Sequence, residues 1–248
     1  MLVDSSMNSA HHRAFFLAAS SQHSGDWLFA LPIASCGLRL DDEAVRVAVG
    51  LRLGLDLCTP HQCYCGSLVD ARGLHSFVCR RDPGRSARHH ALNDFIARSF
   101  ASAGVPVTKE PIGLFLSDGK RPDGLTLVPW QSGKSLCWDV TVSCPLAESH
   151  VSEAAREAGA AAELAATSKE VKYAGIVGRH MFEPIAVETL GVFNASAVRL
   201  LDDLGRRISS ISGDTRETSH FYQRVSVLVQ RFNAVLLHDS LPVPDCTD

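Results

Sequence analysis

Asp41-Asp42-Glu43 opens a stretch in which Ala44, Val45, Val47, Ala48, Leu51 and Leu55 recur three and four residues apart. Acidic residues in a first turn and one apolar stripe predict an amphipathic helix, interrupted at Gly50 and Gly54. A second helix is expected over 87–103, burying Leu92, Phe95, Ile96, Ser99 and Phe100, with Gly104 and Pro106 closing it. The period then changes. Short β-rich runs at 105–107, 112–116, 124–128 and 136–142 are separated by Asp118-Gly119, Gly124 and Ser132-Gly133, which predicts strands joined by hairpin turns. Alanine dominates 152–175 and predicts a long helix weakened at Gly159. Residues 185–190 read as a buried strand ended by Gly191, and further helices are expected over 195–208 and 220–237.

Residues 1–13 are polar, with little to fold against. Trp27-Leu28-Phe29-Ala30-Leu31-Pro32 is a short apolar anchor stopped by proline. No apolar run reaches membrane-spanning length, and residues 1–9 lack the basic start and apolar core of a secretory signal. The expectation is therefore no membrane partner and a reducing compartment. Helix, strands, helix, strand and helices in that order predict an α/β core with a Cys/His module in front of it. There is no internal repeat.

The 248 residues are 46% hydrophobic and 21% charged, which excludes a wholly disordered or fibrous chain. Twenty-four Lys+Arg against 27 Asp+Glu leave a net charge of −3, so global charge does not announce a nucleic-acid binder. Local charge does more. From Arg72 to Arg121 there are nine basic and four acidic residues, a net of +5.

Cys63-Tyr64-Cys65-Gly66, Gly73-Leu74-His75 and Cys79 follow Cys58 and His61 closely. Thiolate and imidazole are the ligands zinc prefers, and four of them on a tight backbone make a closed structural site. The favoured set is Cys63, Cys65, His75 and Cys79, with Cys58 replacing one of the first pair as the variant. The plain alternative is a set of buried thiols in a reduced protein. Cys36, Cys137, Cys144 and Cys246 read that way.

Glu110-Pro111, Arg121-Pro122-Asp123-Gly124 and Trp138-Asp139-Val140-Thr141-Val142 form a second constellation. Asp139 lies inside an apolar strand, where a charge is costly unless paired or bound to a cation. Adjacent strands each offering a carboxylate would suit a hard cation of the Mg²⁺ type, which can activate water for attack on phosphorus. Lys169 and Lys172 lie on one face of the alanine-rich helix, with Tyr173 beside them. The structural alternative pairs Asp139 with Arg121 or Lys120 in a buried salt bridge.

As a set, Cys63-Tyr64-Cys65-Gly66, Gly73-Leu74-His75, Cys79, Arg88-His89, Lys120-Arg121-Pro122-Asp123-Gly124, Trp138-Asp139 and Lys169-Glu170-Val171-Lys172-Tyr173 resemble the restriction-like endonuclease domain of site-specific non-LTR retrotransposons. The resemblance spans roughly 51–191. The chain is also similar to retroelement-derived open reading frames of animal genomes. Those continue, as here, through Val187-Glu188-Thr189-Leu190-Gly191, Gln223-Arg224 and Gln230-Arg231-Phe232-Asn233-Ala234.

The resemblance implies a restriction-endonuclease-like α/β fold, a mixed sheet flanked by helices and preceded by a small zinc knuckle. Its implied parts are an N-terminal helical segment of a larger retroelement protein (1–57), the knuckle (58–80), the nuclease core (86–191) and C-terminal helices (192–240). Asp123 and Asp139 would bind Mg²⁺ or Mn²⁺, Lys169 or Lys172 would be a shifted catalytic lysine, and Glu110 a further acid. Thr141 stands where the family's local Asp-x-Lys has lysine, so the lysine must come from the helix. The implied activity is nicking of DNA to expose a 3′-hydroxyl primer, in the nucleus, with element RNA and a reverse transcriptase module as partners. Polymerase activity is not expected of these residues, since Asp41-Asp42 and Asp202-Asp203 lack the preceding aromatic of a Tyr-x-Asp-Asp motif. The alternative is an inactive, zinc-containing DNA-binding module derived from that nuclease. In either case Arg80, Arg81, Arg85, Arg88, Arg224 and Arg231 would hold DNA phosphates.

Overall fold

The computed structural model describes residues 2–114 and 121–242, with side chains from Ala10 onward. The Asp118-Gly119 turn, Lys120 and Cys246 lie outside these residues. In chain order the helices are α1 (Leu2–Ser20), α2 (Asp42–Leu53), α3 (Gly84–Ser102), α4 (Val151–Ala154), α5 (Ala160–Lys172), α6 (Ala195–Ser212) and α7 (Glu217–Ser240). The strands are β1 (His61–Gln62), β2 (Leu68–Val69), β3 (Val107–Lys109), β4 (Gly124–Thr126), β5 (Leu136–Ser143) and β6 (Met181–Glu188). The fold is mixed α/β. β1 and β2 form a small hairpin, and the other strands form a sheet in the order β3-β4-β5-β6, antiparallel except for the parallel β5–β6 pair.

Alternation along β5 sorts its two faces. Leu136, Trp138 and Val140 join the main core with Phe95 and Phe100 of α3, Leu201 and Leu204 of α6, and Val225 and Val229 of α7. Cys137 faces the other way, toward Tyr173 at the end of α5. Helices thus cover both faces. The parallel β5–β6 pair needs a crossover, and α4 and α5 supply it. Gly124 lets β4 lie against β5: a Cβ there would come within 2.0 Å of the Trp138 indole. All five expected apolar-face residues of α3 are buried.

Several expectations change. Gly50 does not interrupt α2, which runs through it to Leu53. The alanine-rich stretch is two helices, because Gly159 adopts φ 83° between them. β6 begins before Pro184; it is an edge strand, where a residue without an N–H is tolerated. The described part of the expected strand over 112–116 is a turn: Pro111 removes a donor, and Glu110 and Gly113 take φ 47° and 94°. The N-terminal residues do fold. α1 buries Ala14, Phe15 and Ala18 against Val47 and Leu51 of α2 and Val151 of α4.

α7 gathers the parts of the molecule. Trp27 packs with Val227, and its backbone N–H donates to Ser226 Oγ at 3.2 Å. At its far end, Ser240 Oγ accepts from Ser76 at 2.8 Å and lies 3.2 Å from His61 Nε2, fastening the Cys/His segment to the core.

Candidate functional site

The Cys/His segment has little core of its own beyond Cys63, Val69 and Cys79. The β1–β2 hairpin turns at Gly66, with φ 89°, and presents Cys63 and Cys65. A 3-10 turn over Leu74–Phe77 carries His75, and Cys79 N–H closes on the His75 carbonyl at 2.9 Å. The ligand atoms of Cys63, Cys65, His75 and Cys79 all lie within 4.8 Å of one another. Cys63 Sγ is 3.6 Å from Cys79 Sγ, and Cys65 Sγ is 3.0 Å from His75 Nε2. A tetrahedral ion with ~2.3 Å metal–sulfur bonds sets a sulfur–sulfur edge of about 3.8 Å. These four residues could therefore hold a metal ion such as zinc. Cys58 is outside the group, its Sγ directed at the Asp70 carbonyl 3.4 Å away. Hydrogen bonding from Ser67, with His75 also contributing, holds the Cys65 thiol down at about 6, while burial pushes Cys63 up to about 11.

The second constellation converges on a cleft of about 420 Å³ where β4 and β5 meet α3 and the end of α5. Asp139 is 3% exposed. Lys169 Nζ lies 2.5 Å from its Oδ2, and the Tyr173 hydroxyl is 2.7 Å from its Oδ1 and 2.8 Å from the Arg121 carbonyl. Burial, and then the charge of Asp123, push the Asp139 carboxyl upward against the opposing pull of Lys169 and Tyr173. Asp123, just before β4, accepts the Val140 N–H at Oδ2 (2.6 Å), with His89 Nε2 2.9 Å from the same oxygen. That contact raises the His89 pKa.

The sequence left the lysine open between two positions. Lys169 is the one against Asp139. Lys172 lies one layer back, its Nζ 3.1 Å from the Tyr173 hydroxyl. Arg121 is not the partner of Asp139; its guanidinium is 3.4 Å from Glu110, an exposed residue at the cleft edge.

The six arginines do not behave alike. Arg80 and Arg81 are exposed, and Arg85 lines the cleft. Arg88 is buried rather than displayed. Arg224 lies away from the cleft, over the Phe95 ring. Arg231 donates to the carbonyls of Gly37 and Arg39 at 2.9 and 3.0 Å, a tie across the fold.

Two residues were not assigned a role from sequence: His89 and Asn93. They stand four apart on α3, one polar stripe on a largely apolar face. Asn93 Nδ2 donates to the Asp123 carbonyl at 3.1 Å, and its Oδ1 accepts from Trp138 Nε1 at 2.9 Å. Their spacing was the available signal. Compared with protein-family models and with curated proteins, the chain finds no match.

Proposed function

We propose that the chain is a metal-dependent DNA endonuclease with a restriction-like core, nicking DNA to leave a 3′-hydroxyl primer as retrotransposon nucleases do. The observation that supports this reading is the convergence of Asp123, Asp139 and Lys169 on one cleft, from three elements that the chain brings together. The cleft suits an anionic substrate: Arg85, Arg88, Arg121, Lys169 and Lys172 outnumber Glu110, Asp123 and Asp139 among its lining residues.

Two carboxylates beside one another, one of them deeply buried and pushed upward by burial and by its neighbour's charge, fit a divalent cation. Asp123 and Asp139 would hold Mg²⁺ or Mn²⁺, which when bound polarises a phosphoryl oxygen and acidifies water. Lys169 would orient the attacking water and offset charge on phosphorus. Tyr173 fixes the rotamer of Asp139, and His89 with the Val140 N–H fixes that of Asp123. Zinc in the Cys/His cluster would be structural. DNA is the proposed partner, with element RNA and a reverse transcriptase module alongside, in the nucleus.

Thr141, at the position of the usual lysine, favours the second reading, a DNA-binding module without cleavage. Incubation with supercoiled, single-stranded and branched DNA in Mg²⁺ or Mn²⁺ separates the two. Nicking is expected, abolished in Asp139→Asn and in Lys169→Ala while DNA binding stays near wild type. Binding without any metal-dependent cleavage by the unaltered chain would leave only the second reading.

A further inference from the structure

Arg88 differs from every other arginine near the cleft. Its side chain is 3% exposed, and Nη1 has no hydrogen-bond partner among the described residues. Burial, then the like charge of Arg85, lower its pKa to about 10, which still leaves it protonated at neutral pH. Asp82 offsets part of this charge from a distance, while its Oδ1 accepts the Gly84 N–H at 2.7 Å in the first turn of α3. A buried guanidinium with an unpartnered N–H group is unfavourable, and an anion held beside it would supply the missing partner. A place for it is at hand, since Arg88 and Arg85 both line the cleft that holds Asp123 and Asp139.

We propose that Arg88, with Arg85 at the rim, forms an anion socket in the cleft that takes a phosphate group beside the Asp139–Lys169 pair. The planar fork of a guanidinium matches two phosphate oxygens, and a second guanidinium shares the remaining charge. The proposal deepens the nuclease reading and rests on it in one respect, that the phosphate belongs to the DNA backbone next to the bond being cut. Free inorganic phosphate has the same chemistry and would enter the same socket.

The test uses the full chain, metal-loaded, in thermal unfolding with sodium phosphate against sodium chloride at matched pH and ionic strength. Inorganic phosphate should raise the melting temperature of the unaltered chain along a saturating curve, and fail to do so in Arg88→Met. Methionine fills the same space without charge, so that variant should fold, and Arg85→Met should respond weakly. No saturating response in the unaltered chain, or an equal response in Arg88→Met, overturns the socket.

A second arm titrates a short DNA duplex across a salt series. Arg88→Met should weaken binding roughly tenfold and lower the salt slope by about one. A lost phosphate response with unchanged DNA binding would assign the socket to free phosphate and overturn the backbone source. Neither arm reads cleavage. A chain that binds phosphate through Arg88 yet cuts nothing keeps the socket and removes the nuclease reading. Cleavage in the absence of any phosphate response does the reverse.

Discussion

The Cys/His cluster and the carboxylate cleft solve the same problem, holding polar groups at fixed distances, by opposite means. The cluster draws its four ligands from 63–79, on the loop between two short strands and on and just after one 3-10 turn, with almost no apolar core beneath them. The cleft draws Asp123, Asp139, Lys169 and His89 from 89–169, on a sheet and helices anchored in the main core of the molecule. In the first, the ligand residues themselves make up most of the small core that orders the backbone. In the second, the backbone is ordered already, and the functional side chains are supported by it. The same kind of substitution should therefore unfold one region and leave the other standing.

The largest expected effect is on the cluster. Chelation, or Cys79→Ser, should release the metal and remove hydrogen-exchange protection over 61–79, while amides of β5 and β6 stay protected. A metal-free sample whose cluster amides exchange as slowly as before would erase the contrast between the two regions.

On the cleft side, Glu188 at the end of β6 is buried, and its Oε1 accepts the N–H groups of Ala161 and Ala162 at the start of the helix that delivers Lys169. Burial raises its pKa from 4.5 to about 7. Between those values the unfolded chain loses its proton first, so stability falls as pH rises, by at most about 3 kcal/mol, and levels off above pH ~7. Glu188→Gln should remove that slope. Urea unfolding of both chains at pH ~5 and ~8 measures it, and parallel pH dependences would refute the assignment.

Next is Gly124→Ala. The added methyl meets Trp138, which is fully buried and hydrogen-bonded to Asn93, so the indole or β4 must shift. A loss of about 1–3 kcal/mol in denaturant unfolding is expected, with metal content unchanged. Unaltered stability would mean that the β4–β5 approach is looser than its geometry implies.

The smallest effect concerns the seam between the regions. Ser240→Ala removes the acceptor of Ser76 and the contact to His61. About 1 kcal/mol should be lost, read as faster exchange in the cluster rather than in the sheet. Equal loosening of both would show that α7 couples them more tightly than two hydrogen bonds suggest.

Much of this architecture was legible in the chain itself. The apolar stripe of α3, the alternation of β5 and the amphipathic pattern of α2 are local periodicities, and periodicity fixes which face a residue takes once an element forms. The Cys/His cluster was legible for a related reason: its ligands are close in sequence, and two tight turns bring them together. Cys58 could not be dismissed in that way, because five candidates for four places differ only in where the backbone aims them.

Tertiary structure decided what lies across elements. Lys169 and Lys172 share a helix face and look equivalent in sequence; the packing of α5 on β5 sets one against Asp139 and the other behind Tyr173. Arg88 reads as one more surface arginine until α3 is docked, when it turns out to be buried with Nη1 unpartnered. The helix of α1 likewise forms because Phe15 finds a core made by α2 and α4, which no window of its own residues contains. Local pattern specifies elements and their faces. The partner that each face or charge meets is a property of loop closure and packing over long separations, so only the assembled fold can name it.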